Sequence, residues 1–198
     1  MVLTRLTPSD VLTFWFGSPD PRAVPPPELE KRWFRGGEAF DREVIARFAE
    51  LLDHPEEAAA WAIDLAGSLA AVVAFDQLPR NAFRGSARAF ATDARALRIA
   101  GEVVDAGLDR EAGVSQRIFL YMPFQHAEDR AQQARAMALF GALAAEAANG
   151  PVLLDFAKRH ADIVERFGRF PGRNRALGRA ATPEEAAWLA AGGDTFGQ

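Results

Sequence analysis

The chain contains no cysteine and only two lysines among its 198 residues. Without cysteine there can be no disulfide framework, no thiolate metal site and no cysteine nucleophile. A basic surplus is also lacking, because the formal net charge is −4 and the pI is near 5.5. Proteins that bind nucleic acid or anionic membranes normally carry such a surplus, so we expect neither partner. All but two of the 23 basic residues are arginine, a bias that lowers the weight of any single arginine.

Long apolar runs are absent as well. The most apolar stretch, residues 58–75, is interrupted by Asp64 and Ser68, whereas a membrane-spanning helix needs about 20 strongly apolar residues. The N-terminus also lacks the basic-then-apolar layout of a secretory signal. We therefore expect a cytoplasmic protein without membrane segments. The length and the 49% hydrophobic content suit a single domain over residues 1–198.

No segment alternates between apolar and polar residues as a strand does. Helix starts are instead marked at Thr7-Pro8 and Thr182-Pro183, where a capping hydroxyl precedes a proline and an acidic residue follows three positions after the cap. Apolar residues at helical spacing predict further helices between these two, joined by short loops. The expected fold class is all-α, with about eight or nine helices packed as antiparallel hairpins, either as a bundle or as an α-solenoid of stacked pairs.

Proline and glycine set most of the predicted helix boundaries. The first helix should end at Gly17, and a proline-rich connector then leads to a short helix that begins at Pro27 and ends at Gly36-Gly37. The amphipathic helix that follows should stop near His54. The remaining predicted helices cover 56–78, 87–106, a short segment before Pro123, 127–147, 152–167 and the segment after Thr182.

A short pattern occurs twice in the chain. It appears as Leu78-Pro79-Arg80-Asn81 with Gly85, and again as Phe170-Pro171-Gly172-Arg173-Asn174 with Gly178. One interpretation is a pair of similar turns, in which proline stops the helix while asparagine and glycine satisfy the turn geometry. The other is that both turns also bring an arginine to the same polar region. The sequence leaves both interpretations open.

Two ionisable residues fall on faces that are predicted to be buried. Asp76 continues the apolar face of its predicted helix, and His160 does the same in helix 152–167. A buried carboxylate must be paired, and Arg80 and Arg84 are the nearest partners. Asp76 is then either the centre of a structural ion pair or a carboxylate held ready for proton transfer or ligand binding.

His126 lies near the start of a predicted helix, with Glu128 two residues later. At this spacing the two side chains do not share a helical face. A metal site built from His126, Glu128 and His160 would need an irregular turn. We therefore expect no metal and no cofactor.

The densest positive segment lies between Arg166 and Arg179, where arginines are interleaved with phenylalanine and leucine. Guanidinium groups suit carboxylates and phosphates, so an anionic ligand is one hypothesis. The alternative is neutralisation on a helix surface, because Asp162 precedes Arg166, and Glu165 precedes Arg169, by four residues.

Taken together, these segments resemble a mainly bacterial family of uncharacterised proteins, domain of unknown function 924. The resemblance covers nearly the whole chain. It rests on Phe14-Trp15-Phe16-Gly17, Trp33-Phe34, Phe40-Asp41, the segment DQLPRN at 76–81 with Phe83-Arg84-Gly85, Ala89-Phe90-Ala91 with Asp93, Pro123-Phe124 with His126 and Glu128, His160, and Arg166-Phe167-Gly168-Arg169-Phe170-Pro171 with Arg173-Asn174. The chain departs from the family in PFQHAE, where glutamate then serine are more common around the histidine, and at Gly172, where histidine is common. The resemblance implies a fold similar to tetratricopeptide-type α-α superhelices, and it implies no established reaction.

Three functions remain open. The first is a pocket for a small anionic ligand or an acidic peptide terminus. Its candidate residues are Asp76, Arg80, Asn81, Arg84, His126, Glu128, His160, Arg166, Arg169, Arg173 and Asn174. The second is a helical scaffold whose groove binds a protein segment. The third is a hydrolase or lyase that uses Asp76 with His126 or His160, which requires these side chains to meet in an open cleft.

Overall fold

The structure is a computed structural model that describes residues 5–197. All regular secondary structure in this part of the chain is helical, so the all-α prediction is confirmed. The helices are α1 (Pro8–Phe16), α2 (Pro27–Arg35), α3 (Gly37–Asp53), α4 (Glu56–Ala59), α5 (Leu65–Val72), α6 (Leu78–Ala82), α7 (Asp93–Asp105), α8 (Val114–His126), α9 (Arg130–Ala144), α10 (Gly150–Phe167) and α11 (Pro183–Ala190). A π-helical turn, Val73–Gln77, joins α5 to α6, and 3₁₀ turns cover Ala87–Phe90, Leu108–Glu111 and Pro171–Arg173.

The predicted helix starts at Thr7 and Thr182 are confirmed. Each threonine forms a capping box, in which its hydroxyl accepts the backbone N–H three residues later and the acidic side chain at that position accepts the threonine N–H. Gly17 ends α1 with a φ of 81°. This left-handed conformation is readily available to glycine, so the stop predicted there follows from local geometry.

The predicted helix 56–78 is interrupted, which corrects the sequence-based boundary. Helix α4 ends at Ala59, and Asp64 begins α5 by accepting the N–H of Gly67 at 2.7 Å. A Cβ atom at Gly67 would lie 1.8 Å from the carbonyl oxygen of Trp61, so the close approach of this turn requires glycine. Aspartate is a strong N-cap, and its capping bond competes with continuation of the helix.

Two predicted proline stops are wrong. Pro79 lies in the first turn of α6, and Pro123 lies inside the last turn of α8, which continues to His126. The predicted helix 87–106 starts later than expected, because a 3₁₀ turn occupies its first residues. Its predicted end is confirmed, since Gly107 follows α7 with a φ of 72°.

The main hydrophobic core surrounds the aromatic residues of α1. Trp15 and Phe16 are almost completely buried and pack edge-on against Phe119 of α8, while Phe14 stacks on Phe40 of α3. A smaller cluster is built on Val164 and its neighbours after α10. Within residues 5–197 there is no helix with the length and apolar character needed to cross a membrane.

Candidate functional site

A cleft of about 680 Å³ is bounded by α2, α6, the end of α8, α10 and the C-terminal segment 194–197. Two aromatic residues at its mouth are solvent-exposed, Phe34 by 64% and Phe156 by 43%. Its inner end is formed by the buried side chains of His126 and His160. Five of the predicted polar residues therefore line a site that solvent can reach: Arg80, Asn81, Arg84, His126 and His160.

Asp76 and His126 form a hydrogen-bonded pair at this inner end. Nδ1 of His126 lies 2.8 Å and 3.0 Å from the two carboxylate oxygens of Asp76. Asp76 is completely buried, whereas His126 keeps 8% of its surface exposed and lines the cleft. Because an ionised carboxylate can only accept hydrogen bonds, we assign the imidazole proton to Nδ1. Nε2 is then the ring nitrogen that remains for the cleft.

Arg80 is the second partner of Asp76. Its Nη1 lies 3.1 Å from Oδ1 of Asp76 and donates to the Asp76 carbonyl oxygen at 2.6 Å. The same guanidinium forms a bidentate pair with Asp93, at 2.8 Å and 2.9 Å. The side-chain amide of Gln77 also donates to Asp76. The buried carboxylate is thus both paired and hydrogen-bonded, as its burial requires.

Asp41 of α3 holds two other predicted residues. Nδ2 of Asn81 donates to Oδ1 of Asp41 at 2.8 Å, and Arg84 donates to both carboxylate oxygens at 3.0 Å and 3.1 Å. The expected pairing of Arg84 with Asp76 is therefore wrong. Both Asn81 and Arg84 nevertheless line the cleft, and half of the Arg84 side chain stays exposed.

The π-helical turn positions Asp76 between α5 and α6. Leu78 donates its N–H to the carbonyl five residues earlier, which is the bond that defines this turn. Pro79 has no N–H to offer the carbonyl of Phe75, and the hydroxyl of Thr92 donates to that carbonyl at 2.6 Å instead. The helix therefore passes the proline because another segment supplies the missing donor.

The two copies of the repeated turn bring their arginines to one carboxylate. Arg80 and Arg173 both face Asp93, with Nη1 of Arg173 at 3.6 Å. The buried guanidinium of Arg173 also lies over the rings of Phe90 and Phe170, at 4.7 Å and 4.5 Å from their centroids. The interpretation in which both turns deliver an arginine to one region is confirmed, although the proline of the first copy does not stop a helix.

The protonation states of the pair follow from its surroundings. Burial raises the pKa of Asp76, but the charge of Arg80 and the hydrogen bonds from His126 and Gln77 outweigh it, and the carboxyl has a pKa below its ordinary value. Burial lowers the pKa of His126, and Arg80 lowers it further, while Asp76 offsets this only in part. The pair is an ionised carboxylate beside a neutral imidazole. Such an imidazole has the form of a general base.

His160 reaches the same place from α10, and its predicted inward position is confirmed. Nδ1–H donates to the carbonyl of Phe156 at 2.8 Å, and the ring stacks on Phe196 at a centroid distance of 3.6 Å. The ring centroid of His126 is 6.0 Å away. Burial, together with the neighbouring His126, lowers the pKa of His160 to about 3. His160 is therefore neutral as well, with Nε2 as an acceptor.

Glu128 does not join the histidines. Its carboxylate accepts two N–H groups of Arg179 at 2.6 Å and 2.9 Å, and the backbone N–H of Phe170 at 2.8 Å. Arg179 also donates to Asn174. These bonds fasten the segment after α10 to the α8–α9 connection. Within residues 5–197 there is no group of three histidine or acidic side chains that could hold a metal ion.

Three more of the predicted residues contact acidic side chains of helix α11 and do not line the cleft. Glu185 accepts from Arg169 at 2.7 Å and 2.8 Å and from Asn174 at 3.1 Å, and Arg166 pairs with Glu184 at 2.9 Å. The predicted pairing of these arginines with acids four residues earlier is wrong, because α11 packs against the turn after α10. Neither arginine lines the cleft.

Several lining residues were not predicted from the sequence. Gln77 directly follows Asp76 in the sequence, and Gln125 directly precedes His126. This adjacency was the signal from which both lining residues could have been predicted. Arg159 and Phe196 line the cleft because the C-terminal segment folds back on α10, where Arg159 donates to Asp194 at 2.6 Å. No local sequence pattern predicts that the C-terminal segment folds back on α10.

Comparisons with known proteins agree with the fold and offer no activity. A family model described as "Bacterial protein of unknown function (DUF924)" matches residues 11–193, which confirms the resemblance seen in the motifs. The chain is also similar to a solved structure described as a protein of unknown function, ATU0120 from Agrobacterium tumefaciens. That similarity has 38% identity and a TM-score of 0.76, and it covers 93% of this chain and 97% of the other. No curated protein matches.

Proposed function

The chain belongs to the DUF924 family of bacterial proteins of unknown function, and we propose that its cleft binds a small anionic molecule with an apolar body. The charge of the lining carries the proposal. Among residues 5–197, one carboxylate, Asp194, lines the cleft together with five arginines: Arg32, Arg35, Arg80, Arg84 and Arg159. Guanidinium groups bind carboxylates and phosphates through paired N–H donors.

Three of these arginines have N–H groups within reach of a ligand. Arg84 and Arg159 each have carboxylate partners, yet 51% and 40% of their side chains remain exposed. Arg35 forms no ion pair with residues 5–197 and is exposed beside the cleft. Arg80 differs, because Asp76 and Asp93 occupy its terminal nitrogens. The mouth of the cleft, rather than its inner end, is therefore where we place the anionic group.

Aromatic side chains supply the apolar part of the lining. They are Trp33, Phe34, Phe40, Phe90, Phe156 and Phe196. The volume of about 680 Å³ is within the usual range for small-molecule pockets, which combine apolar walls with a few polar groups. Both features favour an anion that carries an aromatic or aliphatic body over a bare inorganic ion. An acidic peptide terminus with an apolar side chain fits the same description.

A protein-binding scaffold is the second candidate that the sequence left open. Large exposed hydrophobic residues outside the cleft lie on separate segments: Val24, Ile45, Ile63, Leu108 and Val152. Residues scattered singly in this way are normal on a surface. They give the scaffold less support than the cleft gives a small ligand.

We also expect, as part of this proposal, a tetratricopeptide-like arrangement of the helices, a cytoplasmic location and no nucleic-acid partner.

Thermal unfolding and calorimetry with matched ligands test the proposal. Benzoate and phenyl phosphate should raise the melting temperature more than acetate or inorganic phosphate, and neutral benzamide should leave it unchanged. A ligand at 100 times its Kd stabilises a protein by about 2.7 kcal/mol, which such a scan resolves. The full chain is used throughout.

Arg84→Gln is the informative variant, and Arg88→Gln is its control. Arg88 is nearby in sequence and pairs with Asp53, but it does not line the cleft. Arg84→Gln should weaken benzoate binding about tenfold, equivalent to roughly 1.4 kcal/mol, whereas Arg88→Gln should bind as the wild type does. If no anion in the panel stabilises the protein, or if both variants bind equally well, the proposal fails.

A further inference from the structure

Three side chains at the inner end of the cleft are buried, polar and incompletely hydrogen-bonded. Gln125, His126 and His160 expose only 5%, 8% and 3% of their surfaces, and all three line the cleft. Within residues 5–197, the side-chain amide of Gln125 makes no hydrogen bond and neither histidine uses Nε2. The unpaired atoms of these three side chains are not sealed from solvent, so a molecule in the cleft can reach them. These unused atoms point to water or a ligand at this place.

The hydrogen bonds of the two histidines decide what that molecule must offer. His126 donates Nδ1–H to Asp76, and His160 donates Nδ1–H to the carbonyl of Phe156. Both rings are left with an unprotonated Nε2, which accepts hydrogen bonds. A water molecule has two O–H donors and can serve two acceptors. Its lone pairs then remain for a bound ligand.

We propose that His126, positioned by Asp76, is a general base that removes a proton from a water molecule held by the Nε2 atoms of His126 and His160. That water hydrolyses a carboxylic ester or amide bond in the anionic ligand. The inference rests on the proposed function for the binding of its substrate. Within residues 5–197, the cleft lining offers no hydroxyl, thiol or amine side chain. With serine, threonine, cysteine and lysine absent from this lining, we assign the nucleophile to the water molecule that His126 activates.

The step balances without a metal or a redox partner. Nε2 of His126 takes one proton while the water oxygen forms a bond to the carbonyl carbon. The bond to the leaving alcohol or amine then breaks, and the imidazolium returns the proton to the leaving atom. The products are a carboxylic acid and an alcohol or amine. The free amide of Gln125 supplies N–H donors for the carbonyl oxygen as negative charge develops on it.

His126, rather than His160, is the base because of what each ring contacts. The imidazolium that forms on His126 is stabilised by the ionised Asp76 at 2.8 Å. His160 has only a carbonyl on its Nδ1, and it lies close to Arg159 and Arg173, whose charges oppose protonation. His160 therefore orients the water, while Asp76 is a positioning residue for His126.

The test uses two chromogenic esters with the full chain, 4-nitrophenyl hydrogen succinate, which is anionic, and 4-nitrophenyl acetate, which is neutral. His126→Asn is the decisive variant, because the asparagine amide can still donate to Asp76 while Nε2 is removed. It should lower kcat about 100-fold or more, the usual loss when a general base is removed. His54→Asn, a change at an exposed histidine outside the cleft, should leave kcat unchanged.

Equal rates in the wild type and His126→Asn overturn the inference, whether both are fast or both stay at the buffer rate. Urea unfolding of each variant shows whether a loss of activity comes from a loss of folded protein. Failure of the anion-binding proposal has a different signature. Both esters would then have the same KM, and Arg84→Gln would not raise the KM of the succinate ester, while His126→Asn still abolished turnover.

Asp76→Asn separates positioning from structure through the pH profile. Asp76 is the group that raises the pKa of His126, against Arg80, Arg173 and burial. Its neutralisation should lower kcat and move the low-pH limb of kcat to lower pH. A variant that lowers kcat at every pH without moving that limb would contradict the positioning role.

Discussion

Nδ1 of His126 lies 2.8 Å from Oδ1 of Asp76, although fifty residues separate the two in the chain. The contact joins the π-helical turn after α5 to the last residue of α8, and Arg80 secures it from α6. A buried pair of hydrogen-bonded ionisable groups by itself is weak evidence of function. This pair differs because one ring nitrogen remains for an open cleft whose mouth is rich in arginine and aromatic side chains.

Acidification should destabilise the protein through His160. Its pKa is near 6.5 when unfolded and about 3 in the folded chain, because burial opposes its charge. Between these values the unfolded chain binds more protons, so stability falls as the pH drops. Urea unfolding at pH 7.5 and pH 4.5 should show a loss from this residue of roughly 2–3 kcal/mol.

His160→Phe should show a smaller loss between the same two pH values, since phenylalanine can stack on Phe196 and does not titrate. The control is His54→Gln, which changes an exposed histidine and should retain the wild-type loss. If His160→Phe loses as much stability as the wild type, the burial of a neutral His160 is not the source of the effect.

Neutralising Asp76 should destabilise the fold. Asp76→Asn removes one carboxylate from the buried guanidinium of Arg80 but leaves Asp93 in place, so we expect a loss of about 2–3 kcal/mol at pH 7. Arg80→Met in the Asp76→Asn background should cost less than in the wild type. Asp53→Asn, which changes an exposed ion pair, is the control and should have little effect. Denaturant unfolding of the four-member cycle would measure the coupling, and additivity would contradict it.

We expect the fold to depend on the hydroxyl of Thr92, because Pro79 has no backbone N–H to donate to the carbonyl of Phe75. Thr92→Val keeps the shape but leaves the carbonyl of Phe75 without its donor, at a cost of about 1–3 kcal/mol. Pro79→Ala restores a backbone N–H in the same region. The double variant should therefore recover part of the loss caused by Thr92→Val. If the two changes are additive in urea unfolding, the hydroxyl does not compensate for the proline.

Removal of the Phe196 ring should raise the pKa of His160 from about 3 toward 6.5, because the ring covers the imidazole at 3.6 Å. Histidine NMR titration of Phe196→Ala measures the change directly. Phe34→Ala is the matched control, since Phe34 lines the cleft from α2 and its ring contacts Trp33 rather than His160. An equal titration curve for both variants would show that the C-terminal segment does not control the burial of His160.

Local chemistry in the sequence determined the helical class, the caps and the inward groups. The capping boxes at Thr7 and Thr182 depend on residues three positions apart, and the burial of Asp76 and His160 follows from helical periodicity. The capping boxes and the two buried groups could be predicted because the interacting groups are near neighbours, or because one period fixes which face is buried. The repeated turn left open whether Arg80 and Arg173 reach one region, and the tertiary structure decided it.

Tertiary structure decided which polar groups meet. Glu128 is close to His126 in sequence but pairs with Arg179. The hydrogen bond from His126 is instead accepted by Asp76, which is fifty residues away in the chain. Each such choice depends on desolvation and on competing partners that packing brings together, and no local pattern contains that information. The same holds for the helix that continues through Pro79. Its missing donor is replaced by a hydroxyl from a later segment, so the stop that proline predicts locally is removed by a contact that exists only in the folded chain.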